Sequence, residues 1–522
     1  MTTLAPEPST ASIPVPGGAA TLDIPAPAAR GRRYRLLERT PFLLSIALPA
    51  LLVVLSLIDP VLGAGYALLI ALVGLYRALA AGIHLVAGYR AVQRDRGRAW
   101  RSPEDVRHVV IVTAYNEPEG VVRPTLSVLA RLPEAERMLL VFAREERGGA
   151  AMREAAARLE ADFARSFAGW LDCPHPADLP GEIPGKGGNL SWAGAAASQW
   201  VRERGWDPER VLVTSLDCDN VPDTQYFAAA GERWAEHGYR ANVSIQPVSL
   251  FTIGLWEAPW FARIVAGSNS SWNLICTQRP SRLQNFASHS QPLVALEAMG
   301  YWSTQTIVED GHQFWRSHRH FRADYEVVGL GVPIHQSVVN AGSPRSTLVA
   351  QYKQLARWAY GASDVPYAVE SAVALPSRDS WRRVLLLIES HVTLAALPWL
   401  LLVAGWTPWL LGGGDASPAR LVRDLPEIIG VMMQLCTVGI VVMAVVVLRL
   451  MPPRPEGIPS SRWVLHAAQW IVMPMVPLLI NSLCAYHSQL RLFRGRYSER
   501  FEVTHKVAQR FETGTITLPG AP

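Results

Sequence analysis

Residues 209–219 read Glu-Arg-Val-Leu-Val-Thr-Ser-Leu-Asp-Cys-Asp, and this stretch decides the fold. Glu209–Ser215 is an apolar run of strand length that ends at a polar turn carrying Asp217 and Asp219. Two other runs share the pattern. Arg107–Thr113 precedes Ala114-Tyr115-Asn116-Glu117, and Arg137–Phe142 precedes Ala143-Arg144-Glu145-Glu146. Near-continuous apolar runs of this length suit strands buried on both faces. Helical stretches, Ala150–Ser166 and Asn189–Arg204, separate them. Alternating strand, loop and helix predicts an α/β domain with a mostly parallel sheet, whose ligands bind beyond the strand C-termini. The polar motifs fall at those ends.

Hydrophobic spans flank this domain on both sides. Phe42–Ile58 ends at the turn signal Asp59-Pro60, and Val61–Val86 follows. Val384–Leu411 and Ile428–Leu448 form a second pair around an outer loop, Gly412–Glu427. A helix needs about 20 residues to cross a hydrocarbon layer of ~30 Å, so the first span is short but sufficient. Pro49 is tolerable within it. Arg30, Arg32, Arg33, Arg35 and Arg39 precede the first pair, and Arg90, Arg94, Arg96, Arg98 and Arg101 follow it. The positive-inside rule then puts both ends of the pair, and the domain after it, in the cytosol. Trp463–Tyr486 is apolar but carries Pro474 and Pro477. A single crossing there would put Arg491, Arg494, Arg496 and Arg500 outside, so an interfacial or re-entrant helix is expected.

The expected organisation is a disordered basic tail (1–40), membrane helices (41–89), a cytosolic α/β domain (103–345) and interfacial helices (346–382). A second membrane pair (383–450), an interfacial or re-entrant helix (463–488) and a cytosolic tail (489–522) complete it. Composition agrees: 49% of the 522 residues are hydrophobic and 18% charged. The net charge of +5 gathers beside the spans and reads as membrane-flanking rather than as a nucleic-acid footprint. The five cysteines are scattered without a CxxC pair, which excludes a disulfide framework and a zinc-finger site. No cleavable secretory signal is evident, and the plasma membrane is the expected location, with both termini cytosolic.

Each polar motif has a chemical and a plain reading. Asp217 and Asp219 at a strand end can share Mg²⁺ or Mn²⁺ with a diphosphate, because these ions favour carboxylate oxygen and leave positions for phosphate. Alone, such a pair is far more often a solvated turn. Thr113, Tyr115 and Glu117 can hold a base and ribose, or simply cap a turn. Gly185-Lys186-Gly187-Gly188-Asn189 precedes a helix, where glycines let backbone approach a phosphate and Lys186 adds charge. An ordinary loop and helix start is the alternative. Glu309-Asp310 can supply a base for an acceptor hydroxyl, or two acids favoured at a helix N-terminus. Gln354, Arg357 and Trp358 share one helix face, with Arg357 suited to diphosphate and Trp358 to a sugar ring.

In their order and spacing these motifs resemble the membrane-embedded family 2 glycosyltransferases, in particular cellulose synthase and its hyaluronan and chitin synthase relatives. The resemblance covers roughly residues 40–510. It rests most on Asp217/Asp219, Glu309-Asp310 and the QxxRW of Gln354, Arg357 and Trp358. Phe501-Glu502-Val503-Thr504-His505-Lys506 looks like the FxVTxK gating loop that closes over the nucleotide sugar. The resemblance implies a GT-A fold, a UDP-sugar donor and inversion by a single displacement. It implies UDP contacts from Thr113, Tyr115, Glu117, Lys186, Phe501, Val503, Thr504 and Lys506. It also implies metal on Asp219 and Asp217, Asp310 as base beside Glu309, and Gln354, Arg357 and Trp358 at the diphosphate and acceptor. Ser288, His289 and Ser290 align with the acceptor-side loop, with Ser288-His289 in place of Cys-Gly. Glu145 stands near the family's uridine-binding acid pair.

The leading expectation is a processive enzyme elongating a β-linked polysaccharide. The alternatives are a non-processive transferase acting on a lipid acceptor and a transporter or scaffold using Arg77, Glu389 and His391. The chain stops soon after the gating motif, so four spans are expected. A complete channel is then expected to need a partner or a homo-oligomer.

Overall fold

The computed structural model describes residues 22–498. Two long helices come first, α1 (Arg32–Ile58) and α2 (Pro60–Arg96). The central domain then runs β1 (Arg107–Ala114), α3 (Glu119–Leu129), β2 (Met138–Glu145), α4 (Gly149–Phe163), β3 (Gly169–His175), α5 (Lys186–Glu203) and β4 (Val211–Asp217). It continues through β5 (Val221–Pro222), α6 (Tyr226–Glu236), β6 (Val243–Ile253), α7 (Trp260–Thr277), β7 (Ser290–Pro292), α8 (Leu293–Met299), α9 (Glu309–Phe321) and β8 (Glu326–Ser337). The helices α10 (Pro344–Ala359), α11 (Val365–Ala374), α12 (Arg378–Val403), α13 (Trp406–Leu411), α14 (Arg420–Leu450), α15 (Ser461–Ala468) and α16 (Ser482–Phe493) follow.

The eight strands form one mixed sheet, ordered β3-β2-β1-β4-β7-β6-β8-β5. This α/β arrangement is consistent with a GT-A fold. The block β3-β2-β1-β4 is parallel. Beyond it β7 runs antiparallel to both β4 and β6, while β6 and β8 are again parallel, so the sheet is mostly parallel with antiparallel insertions. With three residues, β7 is too short to show any periodicity in sequence.

The parallel strands are buried on both faces because apolar residues occupy both sets of alternating positions. Val110, Val112, Leu140 and Phe142 pack with Leu126 of α3 and Phe227 of α6. Val109, Ile111, Leu139 and Val141 pack on the other side with Leu190 of α5 and Leu296 of α8. Each fully buried side chain of this kind contributes about 1.5–3 kcal/mol. In register, Thr113 faces Ala143 and Asp217, and Glu145 faces His175. The sheet therefore delivers its polar residues to one edge.

Four described helices, α1, α2, α12 and α14, are long and apolar enough to cross a membrane. Leucines and valines on their outer faces, among them Leu57, Leu69, Leu402, Val438 and Val441, are exposed. The stretch expected as one span over 384–411 is divided, since α12 ends at Val403 and α13 starts after Gly405. Gly405 lies tight against α14, where a Cβ would stand 3.3 Å from the Pro426 backbone. The stretch with Pro474 and Pro477 forms two helices, Ser461–Val472 and Pro477–Phe493, bent by 61°.

Candidate active site

A cavity of about 860 Å³ opens at the C-terminal edge of β1, β2 and β4. The β1 end contributes Thr113, Tyr115 and Glu117, β2 contributes Glu145, and the turn after β4 contributes Asp217 and Asp219. Helix α5 brings Gly185 and Lys186, α9 brings Glu309 and Asp310, and α10 brings Gln354, Arg357 and Trp358. Residues scattered over about 250 positions of sequence thus share one wall.

Lys186 is the hub. Its ammonium lies 2.7 Å from Asp217 Oδ1, 2.9 Å from Asp310 Oδ2 and 3.9 Å from Glu309 Oε1. Its side chain is only 8% exposed. Burial alone depresses an ammonium pKa, but the carboxylates of Asp217, Asp310 and Glu309 more than offset this and raise it. Lys186 therefore stays charged. Glu309 moves the other way from an ordinary carboxylate. Burial, then the neighbouring Asp310 charge, push it up to about 8, against the pull of Lys186. Arg357 is within electrostatic reach of Glu309. Asp310 Oδ1 has no hydrogen-bond partner among the described residues.

The glycines after Lys186 do a different job from the phosphate approach read in sequence. A Cβ on Gly187 would sit 2.2 Å from the Ser303 carbonyl, and one on Gly188 would meet Glu182 and His175. They let α5 pack closely, while Gly185 and Lys186 face the cavity. Asn189 Nδ2 donates to the Ala143 carbonyl at 2.9 Å, tying α5 to the end of β2.

At the end of the cavity beside β1 and β2, Tyr115 N donates to Glu117 Oε2 at 2.7 Å. Arg147, which sequence reasoning missed, lies over the Tyr115 ring at 5.6 Å and pairs with Glu145 Oε2 at 2.7 Å. His175 joins Glu145 at 3.3 Å and Glu182 at 3.0 Å. Burial disfavours its imidazolium, yet the two carboxylates prevail and raise it to about 9. β3, whose end carries His175, has no near-continuous apolar run, so nothing local in the sequence marked it.

Three expected acceptor residues lie elsewhere. Ser288, His289 and Ser290 are fully buried and do not line the cavity. Ser288 accepts from Asn220 Nδ2, His289 donates to the Phe286 carbonyl, and Ser290 bonds Thr214 and Tyr226. The preceding residues Phe286 and Ala287, with Trp272 of α7, form the wall instead. Phe501, Val503, Thr504 and Lys506 lie outside the described residues.

The far end of the cavity is formed by Leu387, Ser390, His391 and Leu394 of α12 and by Asn481. Asn481 belongs to a single π-helical segment, Pro477–Asn481, a local irregularity that often accompanies function. The cavity therefore runs without interruption from the Lys186 cluster to a membrane-type helix.

Residues 212–451 match the sequence model of Glycosyl transferase family group 2. This region starts in β4 and ends after α14, so the chain carries a domain similar to the family 2 glycosyltransferases. No curated protein matches the chain. Among solved structures, the chain is similar to the mannosyltransferase PcManGT from Pyrobaculum calidifontis, in complex with GDP-Man and Mn²⁺. Identity is 14%, the TM-score is 0.42, and the match covers 78% of this chain and 98% of that one. It is also similar to residues 1–349 of S. aureus TarS, with 10% identity, a TM-score of 0.29, and coverage of 62% and 90%.

Proposed function

We propose that this chain is a membrane-bound, inverting family 2 glycosyltransferase that moves a sugar from a UDP-sugar to a growing β-linked glycan. The observation that carries the reading is the single cavity joining the Lys186–Asp217–Asp310 cluster to α12. Thr113, Tyr115, Glu117 and Glu145 form the base and ribose end. Lys186 and Arg357 supply positive charge for the diphosphate. Trp358, with Phe286 and Trp272, offers apolar faces to acceptor sugar rings.

Asp310 is the base. Its Oδ1 is the lone-pair site left for an acceptor hydroxyl, while Lys186 holds Oδ2. As the acceptor oxygen bonds to the anomeric carbon, its proton passes to Asp310 and the sugar–phosphate bond breaks on the opposite side.

Asp217 and Asp219 suit Mg²⁺ or Mn²⁺. Lys186 already shows that a cation is held between Asp217 and Asp310. Two carboxylates alone leave positions on such an ion for phosphate oxygens. A bound ion would offset charge on the departing diphosphate. The sheet domain and both chain ends lie in the cytosol, the spans in the plasma membrane, and the glycan path runs past Ser390 and His391. A second copy or a partner completes that path.

The test is UDP release by the full chain in lipid nanodiscs, with a panel of UDP-sugars and either metal, and with the product sized. Metal-dependent turnover and a long product are expected. Turnover giving one added sugar on lipid would replace the processive reading, and absence of any nucleotide binding would overturn the donor site.

A further inference from the structure

A second charged cluster lies beside the membrane end of the cavity. Arg77 of α2 pairs with Glu389 Oε1 of α12, and Arg282, in the loop after α7, lies 2.9 Å from Glu389 Oε2. Arg77 Nη2 also reaches Thr393 Oγ1 at 3.5 Å. Arg279 stands within electrostatic reach of Arg282, whose pKa is lowered first by burial and then by Arg279. Two guanidiniums thus share one carboxylate with a third guanidinium nearby, which leaves a net positive charge. Arg282 Nε is buried and has no hydrogen-bond partner among the described residues.

The depth of this cluster is informative. Arg77 lies 17 residues after Pro60, about 26 Å along α2 at 1.5 Å per residue. A hydrocarbon layer is ~30 Å thick, so Arg77 lies toward its end on the side of the sheet domain, within snorkelling reach of the headgroups. Tyr76, Leu79 and Ile83 of α2 and Trp381 and Leu385 of α12 are exposed nearby in sequence. An unbalanced positive charge at a headgroup boundary, flanked by apolar side chains, is complementary to an anionic headgroup with its acyl chains. Guanidiniums bind phosphate oxygens in pairs, which a neutral headgroup does not match.

We propose that Arg77, Arg279 and Arg282 bind the phosphate of an anionic phospholipid in the leaflet beside the sheet domain. Glu389 keeps the guanidiniums together without neutralising them. The site is independent of the transferase reading, because none of the four residues faces the donor motifs.

The test uses the full chain, delipidated in detergent and titrated with phosphatidylglycerol or phosphatidylcholine, with bound lipid counted by native mass spectrometry. Phosphatidylglycerol should bind in clear preference. Arg279→Gln with Arg282→Gln should weaken it by about fivefold for each arginine removed. Glu389→Gln should tighten it, because the positive excess grows. Equal binding of the two lipids would overturn the proposal, as would a Glu389→Gln variant that weakens binding like the arginine pair, since a purely structural cluster behaves that way. Displacement of phosphatidylglycerol by inorganic phosphate alone would assign the site to a soluble anion and overturn the lipid.

Discussion

The two charged clusters of this molecule are built in opposite proportions. Near the strand ends, one cation, Lys186, meets three carboxylates, Asp217, Glu309 and Asp310. Between α2 and α12, one carboxylate, Glu389, meets the guanidiniums of Arg77 and Arg282, with Arg279 close by. In each the minority charge is the one held, but Lys186 is 8% exposed and Glu389 is 32% exposed. Enclosure strengthens Coulombic coupling, so the first cluster is governed by its protein partners. The second, more open, is left to a ligand from outside. An excess of carboxylate suits a cation and an excess of guanidinium suits an anion, and the fold keeps these sites on different elements.

The largest expected effect comes from removing the minority charge of the enclosed cluster. Lys186→Met leaves three carboxylates facing one another, and breaking a buried pair in this way costs about 3–5 kcal/mol. Thermal unfolding should shift down sharply. Mg²⁺ or Mn²⁺ should recover part of that loss if Asp217 and Asp219 hold a divalent ion. An unchanged melting temperature would mean that Lys186 is not the hub.

Asp310→Asn comes next. It keeps shape and removes one negative charge, so Lys186 remains paired with Asp217. Loss of the base should lower the transfer rate by about 10³-fold, the middle of the range for general-base catalysis. Nucleotide affinity, read by calorimetry, should hold. Loss of binding equal to the loss of rate would remove Asp310 from the role of base.

A pH effect of order 1–3 kcal/mol is expected at the nucleotide end. His175 is raised from 6.5 to about 9 by Glu145 and Glu182, against burial. A raised cationic group contributes stability that is fully present below about 6.5 and is lost as the pH climbs through about 9. Wild-type stability and nucleotide affinity should fall across that window, and His175→Gln should flatten the fall. A His175→Gln profile that parallels wild type would show that another group titrates.

Local periodicity made part of this legible. The runs ending at Thr113 and Asp217 declared themselves because parallel strands need apolar residues on both faces. Glu309 and Asp310 showed as acids opening a helix, and Gln354, Arg357 and Trp358 as one helix face. What stayed hidden depends on distant partners. For Lys186, nothing local reveals that Asp310, 124 residues on, closes over it. Gly187 and Gly188 looked like phosphate-loop glycines, but the Ser303 carbonyl and His175 explain them through close packing. Ser288 to Ser290 were assigned to the acceptor side by alignment. The chain instead turns inward there, leaving Phe286 and Ala287 on the wall.

Trp358 should give the smallest effect, because it belongs to neither cluster. It lines the cavity, is 38% exposed, and lies 6.0 Å from the Phe251 ring. Its contribution is a flat apolar face, and ring contacts of this kind are worth about 0.5–1.5 kcal/mol beyond area. Trp358→Leu should therefore raise the acceptor KM by roughly two- to tenfold, with kcat at saturating acceptor retained, and Trp358→Phe should recover most of the loss. Nucleotide affinity should be the same in all three proteins, because the proposed role of the ring is on the acceptor. A fall in kcat without a rise in acceptor KM would instead tie Trp358 to Arg357 on the same helix face and so to the charged cluster, erasing the separation between acceptor wall and catalytic centre.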